Sequence, residues 1–289
     1  MASCFTNCAG NAPAPPMVPP APKEHALPAA TMAAPVVPLP VPMEHPELGN
    51  LCFANYIQTI GFATSKSDAS LFVYKDENRV AYLLLYVNDI ILTAPSTELL
   101  WHITARLHSK FAIMDLGDLH HFLRIVVTRD RSALFLSQRQ YAIDLLQQAS
   151  MLECHPTTTP ADARTKLSAT NDAPITDPSA YRSLTSASQY LTLTWPDLTF
   201  AVQQVYLFMH DPCEPHLALI KRILHYVKGA LPTGLHLGTG PVDQITAYPD
   251  ADWVDCPDTH HSTSGFYVFL NDNLASVLIL QMPDHGLPL

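Results

Sequence analysis

Tyr86-Val87-Asn88-Asp89 joins two apolar runs, Val-Ala-Tyr-Leu-Leu-Leu-Tyr-Val at 80–87 and Ile-Ile-Leu-Thr at 90–93. Both runs are rich in β-branched and aromatic residues, and a polar pair divides them, so the stretch predicts a β-hairpin turning at Asn88-Asp89. Asn and Asp suit a turn because they tolerate the left-handed backbone conformation and bond their own backbone. Such a turn also has a chemical use. Between two buried strands it holds an acidic side chain in a fixed place, and hard divalent cations take oxygen ligands of this kind.

Working outward, residues 70–75 read as a further strand. Ser96 precedes Leu99, Leu100, Ile103, Leu107 and Phe111, which is helical spacing behind an N-cap residue. Residues 122–128 and 133–136 predict another strand pair around Asp130-Arg131-Ser132, and Ser137 is expected to cap a helix carrying Tyr141, Leu145, Leu146 and Ala149. Residues 152–178 hold Pro156, Pro160, Pro174 and Pro178 and read as a linker or long surface loop. Helices are predicted over 179–194, 197–209 and 215–228. The last carries Leu217, Ile220, Leu224 and Val227 on one side and Lys221, Arg222, His225 and Lys228 on the other. A loop is expected at 234–240, followed by strands at 244–248, 265–270 and 275–280. Strands and helices mix without a βαβ rhythm or a glycine-rich phosphate loop, so the predicted class is α+β.

Residues 1–46 differ in kind: 12 of the 26 prolines lie there, mixed with alanine. Proline removes amide donors and fixes φ, so neither helix nor sheet is expected to propagate, and this head reads as disordered. Lys and Arg number 16 against 26 Asp and Glu, a net charge of −10, which excludes a globally basic nucleic-acid binder but not a local basic face. No apolar run approaches the ~20 residues that span a bilayer, and no secretory signal is visible, so an intracellular location, cytoplasmic or nuclear, is expected. The six cysteines form no C-x-x-C pair and read as free thiols. His120-His121 and His260-His261 are adjacent, which points their side chains to opposite faces of a strand and argues against a histidine metal site.

A longer series of blocks surrounds the hairpin. Met114-Asp115-Leu116-Gly117, His121-Phe122-Leu123, Leu136-Ser137-Gln138, Asp177-Pro178, Tyr181-Arg182-Ser183-Leu184, Pro196-Asp197, Phe208-Met209-His210, Lys221-Arg222-Ile223-Leu224 and Lys228-Gly229 follow in order. With Tyr86-Val87-Asn88-Asp89 they resemble the reverse transcriptases of Ty1/copia-type retrotransposons. Asp250-Ala251-Asp252-Trp253 and Ser262-Thr263-Ser264-Gly265 resemble the opening of that family's ribonuclease H domain. The resemblance covers residues 50–280.

What it implies is RNA-directed DNA synthesis on an RNA or DNA template-primer, with no membrane and no small-molecule cofactor involved. A palm sheet would hold two Mg²⁺ ions, one activating the primer 3′-hydroxyl and the other steadying the leaving pyrophosphate. By resemblance Asp89 is the second hairpin Asp and a metal ligand, Asn88 stands in place of the first, and Asp250 matches the first acidic ligand of the ribonuclease H domain. The implied organisation is a disordered head (1–48), a partial polymerase palm (49–151), a helical thumb or connection region (152–238) and a truncated ribonuclease H-like start (239–289).

The departures shape the functional expectation. Asn88 is a neutral amide and supplies no charge to offset a divalent cation. The family's earlier palm Asp has no counterpart in the Pro/Ala-rich stretch before the hairpin, and Arg124 stands where the family has glycine. The chain is therefore expected to be a catalytically defective fragment. The alternatives are a residual nucleic-acid-binding module, with Lys221, Arg222, His225 and Lys228 tracking phosphates, or a chain active only with a complementing partner. A palm short of strands is also expected to expose a sheet edge and to aggregate.

Overall fold

The computed structural model describes residues 36–38, 46–76, 79–86, 89–130, 132–162, 167–168, 173–240, 242–252 and 262–282. Most of the Pro-rich head, Val87, Asn88 and Trp253 lie outside them. The chain forms two compact units, one within Pro19–Val127 and one that takes up Thr128–Leu289.

The N-terminal unit is a five-stranded antiparallel sheet backed by two helices. Its elements are β1 (Val36–Pro38), α1 (Pro46–Thr59), β2 (Phe62–Thr64), β3 (Leu71–Asp76), β4 (Arg79–Tyr86), β5 (Asp89–Thr93) and α2 (Thr97–Lys110), with sheet order β1-β5-β4-β3-β2. Alternation decides which face is buried. Ala81, Leu83 and Leu85 on β4, Phe72 on β3, and Ile90 and Leu92 on β5 point into one core with Phe53 and Ile57 of α1 and Leu99, Leu100, Ile103 and Leu107 of α2. Helix α2 starts as its sequence predicts, with the Ser96 hydroxyl accepting the Leu99 N–H at 3.3 Å. A short hairpin follows, in which β6 (His121–Phe122) pairs with β7 (Ile125–Arg129), and the chain passes into the second unit within β7.

The C-terminal unit combines helices with two groups of strands. Its elements are β8 (Ala133–Ser137), α3 (Arg139–Gln148), α4 (Pro178–Leu191), a 3₁₀ turn (Pro196–Leu198), α5 (Thr199–Tyr206), α6 (Glu214–Gly229), β9 (Leu235–Gly238), β10 (Ile245–Asp252), β11 (Ser262–Leu270) and β12 (Asn273–Met282). The apolar faces of α3 to α6 share a core that includes Leu145, Leu146, Tyr181, Trp195, Val205, Ile220, Leu224 and Val227. Strands β10, β11 and β12 form an antiparallel sheet in that order, and β8 pairs antiparallel with β9.

Five local expectations are corrected. The hairpin closes on the pair Tyr86↔Asp89, so Asp89 opens β5 instead of occupying the turn. This register sets Leu83 opposite Leu92 and Leu85 opposite Ile90, matching large apolar partners across the strands. Residues 235–238, expected as loop, form β9, whose Leu235 and Leu237 meet Leu136 and Leu134 of β8. Ser137 does not hold the N-cap of α3: Gln138 occupies that position without a side-chain bond to the helix amides, and the Ser137 hydroxyl accepts the Arg139 N–H at 3.3 Å. The helix expected over 197–209 is a 3₁₀ turn followed by α5, because Pro196 starts the segment and supplies no amide. Within the head, Val36–Pro38 pairs with β5.

Candidate functional site

The hairpin sits on a sheet with two unlike faces. One is packed on α1 and α2. The other carries Tyr82 and Tyr86, 46% and 49% exposed, beside half-buried Leu84, Ile91 and Thr93. Asp89 belongs to this open side and is half-buried at the head of β5. Tyr86 meets Phe122 of the β6–β7 hairpin edge-on, with ring centroids 6.4 Å apart.

Two neighbouring motif blocks have local backbone explanations. In Met114-Asp115-Leu116-Gly117 the Asp115 carboxylate accepts the Gly117 N–H at 2.8 Å, and Gly117 has φ +76, which glycine takes without steric cost. In the β6–β7 hairpin the pair Phe122↔Ile125 leaves Leu123 (φ +48) and Arg124 (φ +59) as the two loop residues. A two-residue loop with both residues left-handed favours glycine. Arg124 therefore sits at a position whose backbone disfavours a side chain.

The basic side of α6 is largely engaged by its own chain. The Arg222 guanidinium donates to the Thr159 hydroxyl at 2.7 Å, Lys228 donates to the Leu152 carbonyl at 2.6 Å, and His225 Nδ1 bonds the His155 carbonyl. The Thr157 N–H reaches the His225 carbonyl at 3.2 Å. The stretch of loop at 152–159 thus lies along α6, and Gly229 lets it approach: a Cβ there would stand 3.1 Å from the Pro156 Cβ. Lys221 alone of the four is exposed.

Asp250 is exposed on β10, opposite Gly265 of β11. Asp197, which the sequence offered only as part of a motif block, accepts a short hydrogen bond from the Tyr226 hydroxyl. Burial and this bond push the Tyr226 phenol well above its ordinary value, and burial, with Asp197 and Asp250 nearby, raises Tyr267. Asp89 lies in the N-terminal unit, whereas Asp250 and the α6 cations lie in the C-terminal unit.

Several other blocks are cross-ties. Asp177 caps α4 by accepting the Ser179 and Ala180 N–H groups, with Pro178 in the first turn. Arg182 donates to the Met209 and His210 carbonyls at 2.9 and 3.3 Å, and the Tyr181 hydroxyl donates to the Val205 carbonyl at 2.7 Å. His216 is fully buried and stacked on Phe208; its Nδ1 accepts the Cys213 N–H, so Nε2 carries the proton and donates to the Ser168 carbonyl.

Among the described residues no group of three or more His, Cys, Asp or Glu side chains converges to hold a metal ion. The hairpin itself offers one carboxylate, Asp89, and one neutral amide, Asn88. That donor set does not match a pair of Mg²⁺ ions, which need several anionic oxygens. Among the described residues no helix is long and apolar enough to cross a membrane.

Residues 44–163 match a family model described as reverse transcriptase (RNA-dependent DNA polymerase). The chain is 41% identical over 216 residues to the retrovirus-related Pol polyprotein from transposon RE1 of Arabidopsis thaliana, covering 75% of this chain and 15% of that protein. An uncharacterized mitochondrial protein of Arabidopsis thaliana is 44% identical over 195 residues, covering 68% of this chain and 81% of that protein. The Pol polyprotein from transposon TNT 1-94 of Nicotiana tabacum is 29% identical over 228 residues, 74% of this chain and 17% of that protein. No solved structure matches. The chain spans about 15% of the length of the RE1 polyprotein. It belongs to the reverse transcriptase family of copia-type retrotransposon Pol polyproteins.

Proposed function

We infer that the chain is a catalytically defective piece of a copia-type reverse transcriptase, whose family activity is RNA-directed DNA polymerisation with Mg²⁺. The observation that carries this reading is the hairpin Tyr86-Val87-Asn88-Asp89, with a single carboxylate where the family resemblance implies two. Oriented charge often contributes more to catalysis than any other effect, so exchanging a metal-facing carboxylate for an amide costs orders of magnitude in rate. In this reading the sheet of the N-terminal unit is a partial palm, the helices after it a thumb or connection region, and β10 to β12 the start of a ribonuclease H-like fold. The one-sided packing of the first sheet and the antiparallel run of the last support those assignments.

A second reading, a residual nucleic-acid-binding module, draws support from the open sheet face. Exposed Tyr82 and Tyr86 there give bases a surface to stack on. The test is primer extension on an RNA template with Mg²⁺ or Mn²⁺, using the purified chain, alongside titration of an RNA–DNA hybrid at several salt concentrations. The expected result is no templated incorporation. Hybrid binding that weakens steeply with salt would favour the module, and metal-dependent incorporation by the native chain would overturn the defective-polymerase reading.

A further inference from the structure

We propose that Val36–Pro38 is an intramolecular strap that closes the β5 edge of the first sheet and keeps that edge from pairing with a second copy of the chain. The register is Val36↔Ile91, Val37↔Ile90 and Pro38↔Asp89, antiparallel. Which backbone groups take part follows from the rest of the sheet. The Leu85 N–H donates to the Ser70 carbonyl at 2.9 Å, toward the β3 side. Polar groups alternate sides along an antiparallel strand, so those of Tyr86 face β5 and Tyr86↔Asp89 is a hydrogen-bonding pair. Ile90, the next residue, then turns its N–H and C=O away from β4, toward β1. Val37 is therefore the strap residue that exchanges hydrogen bonds with β5, through Ile90.

The same alternation turns the backbone of Val36 and Pro38 outward, to the far side of the strap. Pro38 stands opposite Asp89, at a position where the ladder asks for no donor, and its missing N–H removes a donor from the outer edge as well. A strand that ends a sheet with proline blunts it against further pairing. Without the strap, Ile90 would present an unpaired N–H and C=O on an antiparallel edge, and two such edges pair with each other about a two-fold axis. One proline thus serves both requirements, compatibility with β5 on the inner side and closure of the sheet on the outer side.

The experiment compares the full chain with Val37→Pro and Val36→Pro, using residue-resolved amide exchange and sedimentation velocity over a range of concentrations. Val37→Pro removes the donor facing Ile90; Val36→Pro removes only an outward donor. The expected result is Ile90 amide exchange at least tenfold faster in Val37→Pro, with Ile91, whose amide faces β4, unchanged. That variant should also self-associate with concentration, while the native chain and Val36→Pro keep a slow Ile90 amide and a single species. Equal Ile90 exchange in the native chain and Val37→Pro would overturn the strap. So would a Val37→Pro chain that loses protection yet does not self-associate, or a Val36→Pro chain that behaves like Val37→Pro.

Discussion

Around the hairpin, the buried side chains of the described residues are all apolar, from Phe53 on α1 to Ile113 beyond α2. The C-terminal unit instead buries Gln138, Thr185, Ser188, Thr194 and His216 among its helices. Two ways of specifying a fold are visible in one chain. Strict alternation along β4 and β5 leaves one face able to enter the core, so apolar pattern suffices there. Helices can rotate and slide against one another, and hydrogen-bonded polar groups in the interior, such as Thr194 to Gln138 at 2.8 Å and Tyr181 to Val205, remove that freedom.

The comparison is broken most forcefully by truncating one fully buried anchor of each core. Trp195 is 2% exposed and its indole N–H donates to the Thr233 carbonyl at 3.2 Å. Trp195→Ala is expected to cost about 4 kcal/mol in urea melts, and Leu83→Ala in the apolar core about 3 kcal/mol. A Trp195→Ala cost below that of Leu83→Ala would remove the special weight given to the helical core.

A sharper test exchanges polar for apolar pairs. Gln138 is fully buried, and its amide nitrogen has no hydrogen-bond partner among the described residues. Gln138→Leu alone strands the Thr194 hydroxyl and should cost about 2 kcal/mol, whereas the double variant Gln138→Leu/Thr194→Val should return close to native stability. Additive losses in that cycle would mean the two side chains are not energetically coupled, and would contradict their hydrogen bond as the source of the single-variant cost.

Smaller effects are expected at the β6–β7 hairpin and at high pH. Arg124→Gly relieves a left-handed backbone and should stabilise by about 1 kcal/mol, read as a rise in Tm. Tyr181 and Tyr226 both have phenols raised above their ordinary value, mainly by burial. The unfolded chain then loses those protons first, so stability is full below about pH 10 and falls as pH rises beyond it. Tyr226→Phe should flatten part of that alkaline loss; an unchanged slope would detach Tyr226 from it.

The strands of the hairpin and helix α2 were legible because apolar period, turn residues and the Ser96 cap agreed. Position along the turn was not, since both candidate registers keep Leu83, Leu85, Ile90 and Leu92 on one face. Strand β9 escaped because four residues bracketed by glycines read as loop until β8 supplies the ladder. Val36–Pro38 escaped for a related reason: in a Pro-rich segment two valines become a strand only against a preformed edge. At the site, the sequence supplied Asp89, Asn88 and the α6 cations by type. It had no means of showing that Arg222, His225 and Lys228 bind the loop at 152–159, because those partners lie some 70 residues away in the chain. Nor did spacing reveal the open tyrosine face, which depends on which side of the sheet the helices cover.

Everything functional here turns on the oxygen donors beside Asp89. Mn²⁺ takes the same ligands as Mg²⁺ and is read by electron paramagnetic resonance as free or bound. Titrated into the purified chain, Mn²⁺ is expected to remain free through the sub-millimolar range, with Asp89→Asn no different from native. A saturable site of micromolar affinity that disappears in Asp89→Asn would contradict the reading of this hairpin as one that lost its metals with its carboxylate.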